Sequence, residues 1–502
     1  MTRFFLALIV GVHLTFLGNG FTWLDHGDIE GGRAVLPLSK LYRSFLTGFG
    51  ETGYYRPMVT ILHSFNYALF GKWAPGYHLT DVALHLGVSV AAGVFLGKFF
   101  GLSRNEGSLA ILLVGIHPIT WFTVGTISNR QELLVVLFIL LSFIHLGNPF
   151  FFAAFTFLGL LSKETAFFWT PAIFFLLSRI NFRRGFYAFF SAIVYLVLRF
   201  NALPEIWRIK FYPLSLSQAV GTRLSAVGGL LYKLVSPIRP SASDSAKIVD
   251  VLSWSSVATV ILILLLIGVL VRSGVKSNVG RAITLLFISV LPAFNLIPLP
   301  RFAPLHYGYF AVIPLSLIAV LAARRFAIFY PLLGIWMVVA GISTLGAGRM
   351  LKNDQSLFEN EVSRDPKFLE GYFYLGDRYF KSGNFLKAEE FYQKAASPDP
   401  NFIAFVDKSA LWVNLAGAKM GLGKLDEAES ILLGLRDDLS TNREQIAYNL
   451  ALISERKGDY YEVIERLEGF DGGWSQPEPI LLLIRAYMET KQYAKANNLN
   501  WE

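Results

Sequence analysis

Long apolar runs separated by short polar connections recur through the first 350 residues, then give way to a shorter, mixed rhythm. A helix needs about 20 apolar residues to cross a bilayer. By that measure the pattern predicts eleven spans, near 4–20, 77–98, 107–126, 132–147, 150–163, 166–180, 185–200, 252–272, 282–300, 308–323 and 326–346. The run after Met1-Thr2-Arg3 is followed by no small-residue cleavage pattern, so it is expected to be an uncleaved first span. Segment 217–236 alternates apolar and polar positions at helical spacing and is expected to lie at an interface or re-enter.

Beyond residue 350 the rhythm is that of paired short helices with a period near 34 residues. The first copy shows Tyr372, Leu375, Gly376, Tyr379, Gly383, Phe385, Ala388, Tyr392, Ala395 and Pro400. This is the order of large and small residues of a tetratricopeptide repeat (TPR). Weaker copies follow at Trp412-to-Ala428, Leu450-to-Tyr460 and Leu483-to-Ala496. The expected fold is all-α: a polytopic membrane domain over 1–350 with long outer loops at 20–76 and 200–251, then a TPR solenoid over 351–502. Repeats are placed near 369–402, 409–442, 444–476 and 477–502. Such arrays present a concave face to extended peptides, so an acceptor polypeptide is the expected partner there; a solenoid that only caps the membrane domain is the plainer alternative.

Charge sharpens this division. Of 45 Lys+Arg and 36 Asp+Glu, residues 1–350 hold 27 and 11, a balance of +16, and the remainder hold 18 and 25, a balance of −7. The basic excess is dispersed between spans and forms no nucleic-acid-binding patch. With no cysteine, disulfides, thiolate metal sites and cysteine nucleophiles are excluded. Lys98 and Arg104, then Arg179, Arg183 and Arg184, then Arg272, Lys276 and Arg281, then Arg324 and Arg325 fall on alternate connections. The positive-inside rule makes that side, with Arg3, cytoplasmic. The N-terminus is then cytoplasmic and the repeats lie outside, as in the cytoplasmic membrane of a bacterium. Arg43, Arg56, Arg208 and Lys210 fall on the outer side against the rule.

Three of the eleven membrane-domain carboxylates crowd into Asp25-His26-Gly27-Asp28-Ile29-Glu30, just outside the first span. A carboxylate there can act as a general base toward a hydroxyl; several together can hold a divalent metal through oxygen; the plain alternative is a solvated turn. On the same expected side lie Tyr55 and Arg56, His78, Asp81 and His85, Arg130, Lys163 and Glu164, Arg199, Arg301, and His306 with Tyr307. Residues 78, 81 and 85 share one helix face. Lys163, flanked by apolar runs, needs an anionic partner: Glu164 if the pair is structural, a lipid phosphate if it is functional. Arg and Lys groups around one pocket suit a phosphate or diphosphate. Phosphate-binding loops, zinc-protease motifs and nucleophile elbows do not occur.

In order, the chain carries the acid motif, Tyr-Arg-Pro at 55–57, Gly76-Tyr77-His78-Leu79-Thr80, His117-Pro118, Ser-x-Arg at 128–130, Leu161-Ser162-Lys163-Glu164, Asn295-Leu296-Ile297-Pro298 and the tyrosine-rich 306–310, then the repeats. This order resembles the transmembrane and TPR-containing, O-mannosyltransferase-like glycosyltransferases of the GT-C superfamily. The resemblance implies an inverting enzyme that transfers sugar from a polyprenyl-phosphate donor to a Ser/Thr hydroxyl, and it leaves any requirement for a divalent metal open. It implies Asp25 as base, with Asp28 the alternative because Trp23-Leu24-Asp25-His26 departs from the family's paired acids. It implies Arg130 and Lys163 on the lipid phosphate, with Arg56, Arg199, Arg301 and His306 around it, and His26, Glu30, Tyr55, His78, His85, Glu164 and Tyr307 lining the pocket. The family's late Arg before paired tyrosines is replaced here by His306-Tyr307-Gly308-Tyr309, so Arg301 or His306 supplies that cation or none does. A non-enzymatic membrane scaffold, a polysaccharide ligase and a lipid-sugar flippase are the rival readings.

Overall fold

Short polar caps and glycines delimit the membrane helices. Ala74–Phe100 starts on a proline in its first turn and stops at Gly101, whose φ of 64° ends the helix in the left-handed region. Ser103 and Glu106 close a reciprocal cap on Arg104–Gly115, and Ser215 and Gln218 do the same for Leu216–Val235. The computed structural model describes residues 1–177, 182–203, 212–296, 301–435 and 442–499. Arg179, Arg208, Lys210, Ile297 and Pro298 lie outside the described residues.

Six helices among the described residues are long and apolar enough to span a membrane: Ala74–Phe100, Ile127–Ile144, Gly185–Ala202, Trp254–Ser273, Leu305–Arg325 and Phe329–Met350. The pair Arg104–Gly115 and Pro118–Gly125, bent by 42°, makes a seventh if it is one broken span. The other expected segments form shorter apolar helices, Thr2–Phe16, Pro149–Ser162, Ala166–Leu177 and Asn278–Phe294. The chain is a multi-pass membrane protein by this measure, with six or seven full-length spans among the described residues where the apolar pattern predicts eleven. The difference is one of length: Pro149–Ser162 is confined between Asn148 and Lys163, Asn278–Phe294 stops at Asn295, and Ala166–Leu177 is described only as far as Leu177. Trp254–Ser273 exposes Leu264, Leu265 and Val271 and packs little of itself inward, as a lipid-facing helix does. Segment 217–236 is the helix Leu216–Val235.

The chain divides into two units. The first is Met1–Asp365 with Asn401–Ile403, and the second is Pro366–Pro400 with Ala404–Glu502. The boundary expected at 350 moves on by one helix, Asp354–Arg364, because that helix is tied into the first unit. Buried Glu361 accepts from Arg239, from the Ser241 hydroxyl (2.7 Å) and from the Ala242 N–H (2.7 Å). The one sheet among the described residues is two short strands, Ala246–Lys247 and Phe402–Ile403, paired antiparallel within the same unit.

The second unit is a series of paired helices, beginning Leu369–Lys381 with Phe385–Ala395 and continuing Lys408–Gly421 with Leu425–Leu435. Gly376 lies where a Cβ would come within 2.5 Å of the buried Tyr392 ring, so the small residue of the repeat signature is a contact requirement. Gly376→Val is expected to destabilise the array by about 1–3 kcal/mol, the usual cost of overpacking, read as a lower thermal midpoint. Tyr392 donates to Asp377, which also accepts from Asn414 (2.8 Å), joining the first repeat to the second.

Candidate active site

The acid motif is not a solvated turn, because two of its three acids are buried. Asp25 is fully buried and Asp28 nearly so. The apolar residues around the acids cause this: Phe21 and Ile29 pack with Ala74, Tyr77 and Ile127, while Trp23 packs against Phe122 and Phe358. The three acids diverge. Asp25 accepts the backbone N–H of Ser128 (2.7 Å) and of Thr22 (3.2 Å); Asp28 accepts from Arg33; Glu30 meets His26. Among the described residues no three His, Cys, Asp or Glu side chains form a metal-holding group. Residues His26–Glu30 form a single π turn, a backbone form concentrated at functional sites.

Burial raises both aspartate carboxyls. Burial pushes the Asp25 carboxyl up to about 7, against the pull of the Ser128 and Thr22 N–H groups. Burial also raises Asp28, but the Arg33 guanidinium and, further off, Arg56 hold it down. His26 is pushed up to about 9, chiefly by its hydrogen bond to Asp354. A general base works best with a pKa near the working pH, and Asp25 fits that requirement.

The cations gather around two carboxylates. Glu132 holds the Lys163 ammonium and lies 3.6 Å from His306. Glu164 takes Arg56 at 3.0 Å. Lys163 therefore pairs with Glu132 rather than with its neighbour Glu164. Lys163 sits 5.1 Å from the centre of the Tyr307 ring and Arg56 4.2 Å from that of Tyr54. Arg301 connects this group to the acid turn: its guanidinium lies 5.4 Å over the Trp23 ring, two residues before Asp25, and 3.8 Å from Asp244. Arg301, Glu164 and His306 are the partly exposed members of the group, with side-chain exposures of 23%, 21% and 15%. Arg199, on the helix Phe182–Ala202, is buried near Tyr195, whose ring contacts Tyr55.

Other expected residues lie elsewhere. Arg130 is wholly buried, with Asp81 at 2.6 Å, the Tyr77 carbonyl at 3.2 Å and His63 at 3.4 Å. Its guanidinium faces protein, not an opening, because an unpaired charge at that depth would be costly. His78, Asp81 and His85 do share one helix face, but that face is packed. His78 meets the Gly20 carbonyl (3.1 Å), and His85 meets the Tyr309 hydroxyl (2.8 Å) and the Gly115 carbonyl (3.1 Å). Tyr55 donates to the Phe45 carbonyl and is buried. Glu132 was not among the expected residues. Its signal was present: a carboxylate within an apolar span needs a reason.

The geometry sets a buried acid turn beside Arg301 of the cation group. Comparisons with known proteins place this chain beside glycosyltransferases. The tetratricopeptide repeat family model matches residues 369–402. The human protein O-mannosyl-transferase TMTC4 is 33% identical over 18% of this chain and 14% of its own length. The Xenopus laevis protein O-mannosyl-transferase tmtc2 is 33% identical over 27% of this chain and 17% of its own. The human TMTC3 enzyme is 31% identical over 28% of this chain and 16% of its own. The match thus spans about a sixth of the length of these relatives. The crystal structure of yeast Tom70 covers 82% of this chain and 97% of its own at 12% identity, with a TM-score of 0.24 too low to bear on the fold.

Proposed function

We propose that this chain is an inverting GT-C glycosyltransferase of a bacterial cytoplasmic membrane. It moves a sugar from a polyprenyl-phosphate donor to a Ser or Thr hydroxyl of an extracytoplasmic protein, which the TPR array presents. The observation that carries this reading is the placement of Arg301 over Trp23, which sets the cation group beside a buried aspartate of near-neutral pKa. The names of the similar proteins support protein O-glycosylation, and mannose is the first sugar to try.

In this reading Asp25 takes the proton of the acceptor hydroxyl. The hydroxyl oxygen bonds to the anomeric carbon from the side opposite the phosphate. The bond from that carbon to the phosphate oxygen breaks, its electron pair leaves with the phosphate, and the configuration inverts. Lys163, Arg301 and Arg56 face the developing phosphate charge, the place where fixed donors accelerate group transfer most, and the His306 imidazole beside them offers a hydrogen bond rather than a charge. Arg130, paired with Asp81, braces the fold. Glu132 and Glu164 hold the cations in place and keep the donor-free cluster near neutrality.

The test uses the purified full chain with polyprenyl phosphomannose and a threonine-containing peptide. Glycopeptide and free polyprenyl phosphate are expected in equal amounts. A scaffold would yield neither, and would tolerate replacement of Asp25 and Lys163 alike. Because Asp25 must be ionised to accept the proton, kcat/KM is expected to fall about tenfold per pH unit below about 7 and to level off above it. A flat profile from pH 5 to 8 would exclude Asp25 as the base.

A further inference from the structure

Trp23 has a φ of 58°, in the left-handed region that a bulky side chain rarely occupies. Such a residue is strained and persists only where its surroundings hold it. The holders come from a helix more than three hundred residues away in sequence. Asp354, at the start of Asp354–Arg364, accepts the Trp23 N–H through Oδ1 at 2.8 Å. Its Oδ2 meets His26 Nε2 at 2.9 Å. Phe358, one turn further along the same helix, lies edge-on to the Trp23 ring at 5.3 Å. One carboxylate therefore grips the turn on both sides of Asp25, and one aromatic ring seats the strained residue that precedes it. Asp354 is itself largely buried and is fixed by the Asn353–Ser356 cap.

We infer that Asp354 is a positioning residue for the catalytic turn, acting through Trp23 and His26 on the placement of Asp25. It does not touch the reacting atoms. This rests on the assignment of Asp25 as the base, and it gives the helix that leads into the repeats a role in catalysis. Asp354→Ala leaves the buried Trp23 N–H without its acceptor and the left-handed turn without its clasp. Asp354→Asn keeps an oxygen for Trp23, and its amide can donate to a neutral His26 whose Nδ1 proton goes to Glu30.

The experiment pairs turnover with hydrogen exchange on the full chain, using polyprenyl phosphomannose and a threonine peptide. Asp354→Ala is expected to lower kcat about 30-fold or more while KM for the donor stays within about twofold, since transition-state geometry is lost and donor binding is not. Amides of residues 23–30 exchange faster, and exchange in the repeats is unchanged. Asp354→Asn recovers most of kcat. Should Asp354→Ala fail to fold, Phe358→Ala reads the same grip through the ring and is expected to speed exchange at 23–30. Wild-type turnover in Asp354→Ala, a fall in donor affinity instead of kcat, or unaltered exchange at 23–30 in the folded variants would overturn the inference. If the wild-type chain shows no transfer, the functional reading fails, and the exchange result still decides whether Asp354 holds the turn.

Discussion

Asp25→Asn is expected to bind the lipid donor normally and to lose transfer by about 10²–10⁴-fold, the usual contribution of a positioned general base. The substitution is nearly isosteric and its one oxygen keeps the shorter contact, with the Ser128 N–H at 2.7 Å, while the longer one from the Thr22 N–H at 3.2 Å is lost; circular dichroism and donor binding check that the fold survives. The neutral amide cannot accept the acceptor's proton. Asp28→Asn gives the contrast. It removes the charge that pairs with Arg33, and its first effect is on the order of the turn. If Asp28→Asn loses transfer with donor binding intact and Asp25→Asn does not, the two roles are exchanged. The comparison is made by initial rates of glycopeptide formation beside equilibrium binding of the donor.

The second large effect concerns Arg130. Its pair with Asp81 has no exposed surface on either side. Breaking a buried pair by removing one partner costs about 3–5 kcal/mol, because the remaining charge is left uncompensated. Arg130→Met is therefore expected to unfold at markedly lower temperature. Arg130→Met combined with Asp81→Leu removes both charges and is expected to recover most of that loss. The double variant should still bind donor, since the phosphate in this account meets Lys163, Arg301, Arg56 and His306. A folded double variant that cannot bind donor would return Arg130 to the phosphate site. Thermal unfolding of the four members of the cycle, with donor binding on the stable ones, decides the matter.

Much of this arrangement was legible in the chain. Apolar runs located the membrane helices because burial in lipid requires them to be continuous, although they overstated how many reach full length. The repeat signature was readable because each repeat meets the same local demand: Gly376 is small because Tyr392 lies against it. The acid motif stood out as a cluster of charge in a domain poor in acids. What was not legible depends on partners distant in sequence. Spacing placed His78, Asp81 and His85 on one face but gave no sign whether that face met an opening or a neighbouring helix. Arg130 and Asp81 are separated by 49 positions, and Trp23 and Asp354 by 331. Adjacency also misleads: Lys163 and Glu164 are neighbours in the chain, yet each side chain turns to a different partner, Glu132 and Arg56.

The central claim is that the outer cations receive a lipid phosphate beside the acid turn. Its most direct measurement is binding of polyprenyl phosphomannose and of the matching phosphate-free polyprenol to the full chain and to Arg301→Gln, Lys163→Met and Asp25→Asn. Arg301 is the most exposed of these groups, so its variant is the one expected to keep the fold most securely. The account predicts that the wild-type chain prefers the phosphorylated lipid, that Arg301→Gln and Lys163→Met lose the preference, and that Asp25→Asn retains it. Equal binding of both lipids by the wild-type chain, or a preference untouched by either cation's removal, would contradict it.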